Sequence, residues 1–125
     1  MTYYSYAEAN CTVSTCQLNV DYASSINAGE SWSAKTQLAG PMTLTWLANT
    51  SQGYMVGDYI STSFVSSGAA SPAFVVANAP TGATFDEATY TISGGLAAVG
   101  GLFVASDRVA SGSNATLAAG YITDH

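Results

Sequence analysis

The chain has 125 residues, of which 48% are hydrophobic and 8% charged, and its net charge is −6 at pH 7. This length supports one domain, residues 1–125, with a single core. Only Lys35 and Arg108 are positive, so the chain lacks the cations that bind nucleic acid or an anionic membrane surface. It also has no run of 18 apolar residues, which excludes insertion as a transmembrane helix. The scarcity of charge leaves little to oppose self-association.

Apolar and polar residues alternate with a period of two along most of the chain, which predicts strands. The first predicted strand covers 2–7 and is rich in tyrosine. The second covers 16–22 and is predicted to be half-buried. Its apolar face would carry Cys16, Leu18, Val20 and Tyr22, and its polar face Gln17, Asn19 and Asp21.

The remaining predicted strands lie around Trp32 and over 42–46, 54–65 with a break at Gly57, 72–77, 84–92, 99–105 and 115–122. The continuous apolar run 72–77 is typical of a strand buried on both faces. Turn residues separate the strands, including the segment 78–82. No segment has the periodicity of a helix. The pattern predicts an all-β fold of antiparallel, propeller-blade-like or sandwich-like sheets built from short strands.

Cys11 and Cys16 are the only cysteines. A disulfide between them would lie at the turn of a hairpin formed by the first two strands, and it would indicate an oxidising compartment. Two reduced thiols are the alternative, and a metal site is disfavoured because two cysteines and one histidine do not complete a tetrahedral shell. Residues 1–15 lack the pattern of a signal peptide. The expected location is extracellular or at the cell surface.

Residues 25–32 read S-I-N-A-G-E-S-W. This pattern resembles the Asp-box of BNR repeats, S-x-D-x-G-x-[ST]-W, which marks a turn between two strands of a blade in sialidase-like β-propellers. The matching positions are Ser25, Asn27, Gly29, Ser31 and Trp32, with Asn27 in the place of the aspartate. The resemblance implies a structural turn, in which Asn27 bonds backbone amides, Gly29 adopts a left-handed conformation and Trp32 packs between blades.

The segments 46–64 and 85–90 also resemble the C-terminal blades of secreted bacterial sialidase-like proteins. The resemblance covers 2–92, whereas 93–125 match no known pattern and are treated as an unplaced β-hairpin extension. A four-stranded blade takes about 40–45 residues, so the chain would hold two blades. Two blades cannot close a propeller, and their open edges are expected to pair with other copies of the chain.

Candidate catalytic and metal-binding residues are few. Sialidase chemistry needs an arginine cluster, and the chain has one arginine, Arg108, so we expect no enzyme activity. The neighbouring carboxylates Asp86 and Glu87 would point to opposite faces of a strand, which does not suit acid–base catalysis. Asp58 is a weak candidate ligand for a structural Ca²⁺, although a hydrogen bond to turn amides is the favoured role. No other cofactor is expected.

Aromatic side chains are the feature that best suits binding, because they can stack on sugar rings. The candidates for carbohydrate contact or for an interface are Tyr3, Tyr4, Tyr6, Tyr54, Tyr59 and Trp46. Packing in the core is their more common role. The expected function is therefore a non-catalytic structural subunit that self-associates into a ring or filament. The alternative is a carbohydrate-binding module, or a fragment of a sialidase-like glycan-processing propeller.

Overall fold

The computed structural model describes residues 1–57 and 59–99 and the backbone of 117–119. These residues form nine strands in three antiparallel sheets, with one turn of 3-10 helix. The predicted all-β, antiparallel class is therefore confirmed. None of the described segments is a helix long and apolar enough to cross a membrane.

The first sheet consists of β1 (Thr2–Tyr6), β2 (Gln17–Tyr22) and β3 (Thr36–Thr43), in that order. Strands β1 and β2 form a continuous antiparallel hairpin, in which Tyr4 lies opposite Val20. The sequence predicted both strands to within a residue or two. Because β2 is the central strand, both of its edges are hydrogen-bonded, one to β1 and the other to β3.

The prediction that β2 is buried on one face only is wrong. Asn19 and Asp21, which were placed on a solvent face, are both buried. On this face, the Asp21 carboxylate contacts the Ser5 hydroxyl of β1 and the Lys35 ammonium of the segment before β3. A period-two pattern shows which residues share a face, but it does not show whether that face meets solvent.

The strands predicted around Trp32 and over 42–46 are also wrong. Residues 23–35 form an irregular connection, and β3 runs through Gly40 and Pro41 before it ends at Thr43. A 3-10 helix, Leu44–Trp46, follows, in which the Leu47 N–H bonds the Leu44 carbonyl at 3.1 Å. This turn brings both leucines into the core.

The predicted strand 54–65 is divided in two, and the break includes Gly57 as expected. β4 (Ala48–Thr50) and β5 (Gly53–Met55) form a separate hairpin, and β6 (Ser61–Phe64) belongs to the next sheet. Gly57 has a φ of +86°, and a Cβ on it would lie 3.0 Å from a methyl carbon of Val75. The break therefore needs a residue without a side chain.

The second large sheet has the order β6-β7-β8-β9, with β7 at Ala70–Thr81, β8 at Thr84–Ile92 and β9 at Leu117–Ala119. The predicted strand 84–92 is confirmed, and 72–77 lies within β7. Of the turn predicted over 78–82, only Gly82 lies in the turn between β7 and β8, because β7 continues to Thr81 and includes Pro80 at a register shift. β9 accounts for part of the predicted 115–122. The rest of that strand, and 99–105 beyond Val99, lie outside the described residues.

β7 is buried less evenly than its apolar run suggested. Pro72, Phe74 and Ala77 are buried, whereas the residues between them are half-buried. One apolar cluster joins the two larger sheets and includes Val20, Met42 and Phe74. The sheets are also tied by hydrogen bonds, since Thr2 and Thr62 share one at 2.7 Å and the Ala77 N–H donates to the Met42 sulfur at 3.1 Å. The central strand β7 is therefore part of the core.

Candidate functional site

The turn that connects β2 to β3 is held by its own side chains. Asn27 Oδ1 accepts hydrogen bonds from the Ser31 N–H at 3.0 Å and from the Ser25 hydroxyl at 2.8 Å. The Ser25 hydroxyl in turn accepts from the Gly29 N–H at 2.9 Å, and Asn27 Nδ2 donates to Ser31 Oγ at 2.9 Å. The polar groups of the turn thus bond one another, which fixes its shape.

Trp32 packs on this same turn. Its indole N–H donates to the Gly29 carbonyl at 3.1 Å, and a Cβ on Gly29 would lie 3.7 Å from the ring. The left-handed backbone at Gly29 (φ +92°) follows a second left-handed residue, Ala28 (φ +57°). Trp32 remains 41% exposed, so in this single chain its ring covers the turn rather than filling the core.

Cys11 and Cys16 form a disulfide, with their Cα atoms 4.9 Å apart, in the loop between β1 and β2. The predicted bridge is confirmed. The Thr12 carbonyl accepts hydrogen bonds from the N–H groups of Thr15 and Cys16, at 2.9 and 2.7 Å, so the loop inside the bridge is a tight turn. The disulfide is consistent with an oxidising compartment.

The aromatic candidates divide between the core and the surface. Tyr4, Trp46 and Tyr54 pack against the apolar cluster, and Tyr3 is half-buried. Tyr6 and Tyr59 are exposed, Tyr59 with 90% of its surface.

The hydroxyl of Tyr4 has a structural task. It donates to the Val75 carbonyl at 3.0 Å and accepts from the Val75 N–H at 2.9 Å. The pairing of β6 with β7 reaches only to Ala73. The Tyr4 hydroxyl therefore bonds the backbone groups of β7 at Val75, just beyond the end of β6. Burial raises the pKa of Tyr4 above its ordinary value; the hydrogen bond with Val75 lowers it by less, and the negative charge of Glu87 adds a further small increase.

A buried carboxylate on β2 was not foreseen from the sequence. Asp21 Oδ2 accepts from Lys35 Nζ at 2.9 Å and from the Ser5 hydroxyl at 2.6 Å, while the Asp21 side chain is fully buried. The hydrogen bond with Asp21, followed by the charge of that carboxylate, raises the pKa of Lys35 above its ordinary value. The available signal was that Lys35 is the only cation in the first hundred residues.

The other acidic candidates have ordinary surroundings. Glu87 accepts a hydrogen bond from the Ala48 N–H at 3.2 Å, and Asp86 is exposed. Asp58, the weak calcium candidate, lies outside the described residues, as does Arg108. Within the described segments, no group of three or more histidine, cysteine, aspartate or glutamate residues could hold a metal ion.

The outer edge of β6 is the surface feature that the sequence analysis missed. β6 pairs with β7 on one side, and no described residue pairs with its other side. Three large apolar side chains near this edge are exposed. They are Tyr59, which precedes β6 in the sequence, Phe64 at the end of β6, with 69% of its surface exposed, and Val65, which follows it. The signal was present in the sequence, because residues 59–85 contain no charged residue.

Comparisons with known proteins found no relative of this chain. No family model, no curated protein and no solved structure was found to match the chain. The likeness to the Asp-box rests on the residue pattern of 25–32 and on the wider segments that accompany it.

Proposed function

We propose that this chain is a non-catalytic structural module that associates with other copies of itself, and that strand β6 is the contact. The observation that carries the proposal is an edge strand without charge, which follows the exposed Tyr59 and ends at the exposed Phe64. An open strand edge presents unpaired N–H and C=O groups that can hydrogen-bond to a strand of another molecule. Natural proteins commonly prevent such pairing with charged residues, proline or a covering segment.

None of these protections is found on β6 itself, which reads Ser61, Thr62, Ser63 and Phe64. The contrast with β3 supports the choice of edge. β3 is also an edge strand of its sheet, but it contains Pro41 and an irregular register opposite Asn19. Proline removes a backbone donor and a bulge twists the strand, so β3 is a poor template for pairing.

The electrostatics of the chain favour contact at β6. The net charge of −6 makes two copies repel one another at long range. Residues 59–85 add no charge to that repulsion, so contact at β6 carries little additional Coulomb cost. Contacts made of apolar side chains and backbone hydrogen bonds should persist at high salt, where screening removes most of the remaining repulsion.

The confirmed disulfide supports an extracellular or cell-surface location for this module. The turn at 25–32 supports a structural role for its own residues, because their polar groups bond one another. Growth beyond a pair, into the ring or filament, requires a second contact surface.

The test is sedimentation of the chain at micromolar concentration, in low and in molar salt. We expect species larger than the 12.8 kDa monomer in both. Ser63→Lys introduces charge in the middle of β6 and should shift the protein to monomer. Ser51→Lys is the matched control, because Ser51 is equally an exposed serine but lies in the turn between β4 and β5. A monomer in both salts contradicts the proposal, and glycan binding by that monomer would favour the carbohydrate-binding alternative.

A further inference from the structure

We infer that β6 pairs with β6 of a second copy of the chain. The two strands would be antiparallel and related by a two-fold axis that passes through Ser63. This inference rests on the proposed function and adds the partner strand and its register. It follows from the direction in which each backbone group of β6 points, which the hydrogen bonds of β7 determine.

The direction is set at Ala70, the residue of β7 opposite Phe64. Both backbone groups of Ala70 bond to Leu96, the N–H to its carbonyl and the carbonyl to its N–H, each at 2.8 Å. Leu96 lies on the side of β7 away from β6, so Ala70 and Phe64 form a non-hydrogen-bonded pair. In antiparallel sheets, the two kinds of pair alternate along the strands.

Ser63 and Ser61 therefore direct their backbone groups toward β7, whereas those of Thr62 and Phe64 point outward. The hydroxyl of Tyr4 agrees with this alternation, because it meets both backbone groups of Val75 on the β6 side of β7. The outer edge of β6, which no described residue pairs with, thus offers the N–H and C=O groups of Thr62 and Phe64. The groups of Ser63, between them, bond to β7.

A two-fold axis at Ser63 uses all of these groups. Thr62 of each copy then lies opposite Phe64 of the other copy, so each pair can exchange two backbone hydrogen bonds. An axis at Thr62 would instead place Phe64 opposite Ile60 of the other copy, which lies outside the strand.

The side chains fit the same register. The Ser63 residues of the two copies would face each other in a non-hydrogen-bonded pair, where Cα atoms are about 4.5 Å apart and two like charges are disfavoured. Serine is neutral, so a pair of Ser63 residues at the axis places no like charges opposite each other. Phe64 would gain Thr62 of the other copy as a neighbour on the same face, which covers part of an aromatic ring that one chain alone leaves exposed.

Cysteine cross-linking tests this register directly. Ser63→Cys, in the full chain with its native disulfide, should form a covalent dimer under mild oxidation at least ten times faster than Ser51→Cys, the control in the β4–β5 turn. Peptide mapping of the dimer should show the two introduced cysteines joined to each other, with Cys11 and Cys16 still joined within each chain. Sedimentation of the unaltered chain is measured in parallel.

The two measurements separate this inference from the proposed function. If the unaltered chain sediments above the monomer but Ser63→Cys cross-links no faster than Ser51→Cys, the pairing at Ser63 is wrong and self-association stands. If the unaltered chain is monomeric at micromolar concentration, both fail. Rapid cross-linking of Ser63→Cys, with sedimentation of the unaltered chain above the monomer, supports both.

Discussion

Replacing Tyr4 with phenylalanine tests how the two larger sheets are joined. The change removes one hydroxyl and keeps the ring, so packing against the core is retained. That hydroxyl makes two hydrogen bonds, at 3.0 and 2.9 Å, to the carbonyl and N–H of Val75. No described strand takes the place of this hydroxyl, because the pairing of β6 with β7 extends no further than Ser61 and Ala73.

The magnitude follows from the number of bonds lost. A typical hydrogen bond contributes about 1 kcal/mol net, and a buried group left without a partner costs about 1–3 kcal/mol. Two backbone groups lose their partner, but the site is only half-buried and water can reach part of it. We therefore expect Tyr4→Phe to lower the free energy of unfolding by about 2 kcal/mol. At a urea m-value of about 2 kcal/mol/M, the midpoint should fall by about 1 M.

The assay is urea unfolding under non-reducing conditions, with Tyr6→Phe as the control on the same strand. Tyr6 is exposed and its hydroxyl makes no hydrogen bond to a described residue, so the control should change stability by less than about 0.5 kcal/mol. Equal midpoints for the two variants would refute the proposed role of the Tyr4 hydroxyl.

The dependence on pH gives a second check of the same hydroxyl. Burial, the main cause, raises the pKa of Tyr4 above that of an unfolded tyrosine, which is about 10. The folded state therefore holds this proton more tightly. The corresponding stability is fully present below about pH 10 and is lost as the pH rises through the higher folded value. The difference in the free energy of unfolding between wild type and Tyr4→Phe should therefore become smaller above about pH 10.

Two further substitutions test the first sheet. A Cβ on Gly40 would lie 2.8 Å from an oxygen of Asn19, whereas one on Gly68 would meet nothing within 4 Å, and both glycines have positive φ; Gly40→Ala should therefore destabilise by about 1–3 kcal/mol more than Gly68→Ala in the same urea assay. Lys35→Met removes the only cation that contacts the buried Asp21 among the described residues and should lower the melting temperature at pH 7. Because the pKa of Lys35 is raised in the folded state, that loss should shrink as the pH rises through the raised value, and a loss independent of pH would contradict it.

The local parts of this fold were predictable from the sequence. β1, β2 and β8 fall where the alternation placed them, and the cysteine spacing indicated the disulfide in the β1–β2 loop. What failed was the inference from pattern to environment. Asp21 occupies a polar position of an alternating strand, yet it is buried, and the partners of its carboxylate, Ser5 and Lys35, lie 16 and 14 residues away in the chain.

The boundaries around proline and glycine failed for a related reason. Proline usually interrupts a strand, yet Pro41 and Pro80 each lie within one, beside a register shift. A proline lacks only its own N–H, so a strand tolerates it wherever that donor has no partner. Which positions these are depends on the neighbouring strand, and a single sequence does not give that pairing. The hairpin β4–β5 was missed because each of its strands has three residues, too few for a period to be visible.

The same distinction bears on where function lies in this chain. The turn at 25–32 carries the most distinctive sequence pattern, but its side chains bond one another and its remaining task is to hold a shape. β6 carries no motif at all, and the outward backbone groups of Thr62 and Phe64 have no strand partner among the described residues. A motif indicates residues that a fold needs, whereas binding depends on groups that the fold leaves unpaired. On that argument, the exposed positions Ser63 and Phe64 of the β6 edge, rather than the motif at Asn27, are where mutation should change association without changing stability.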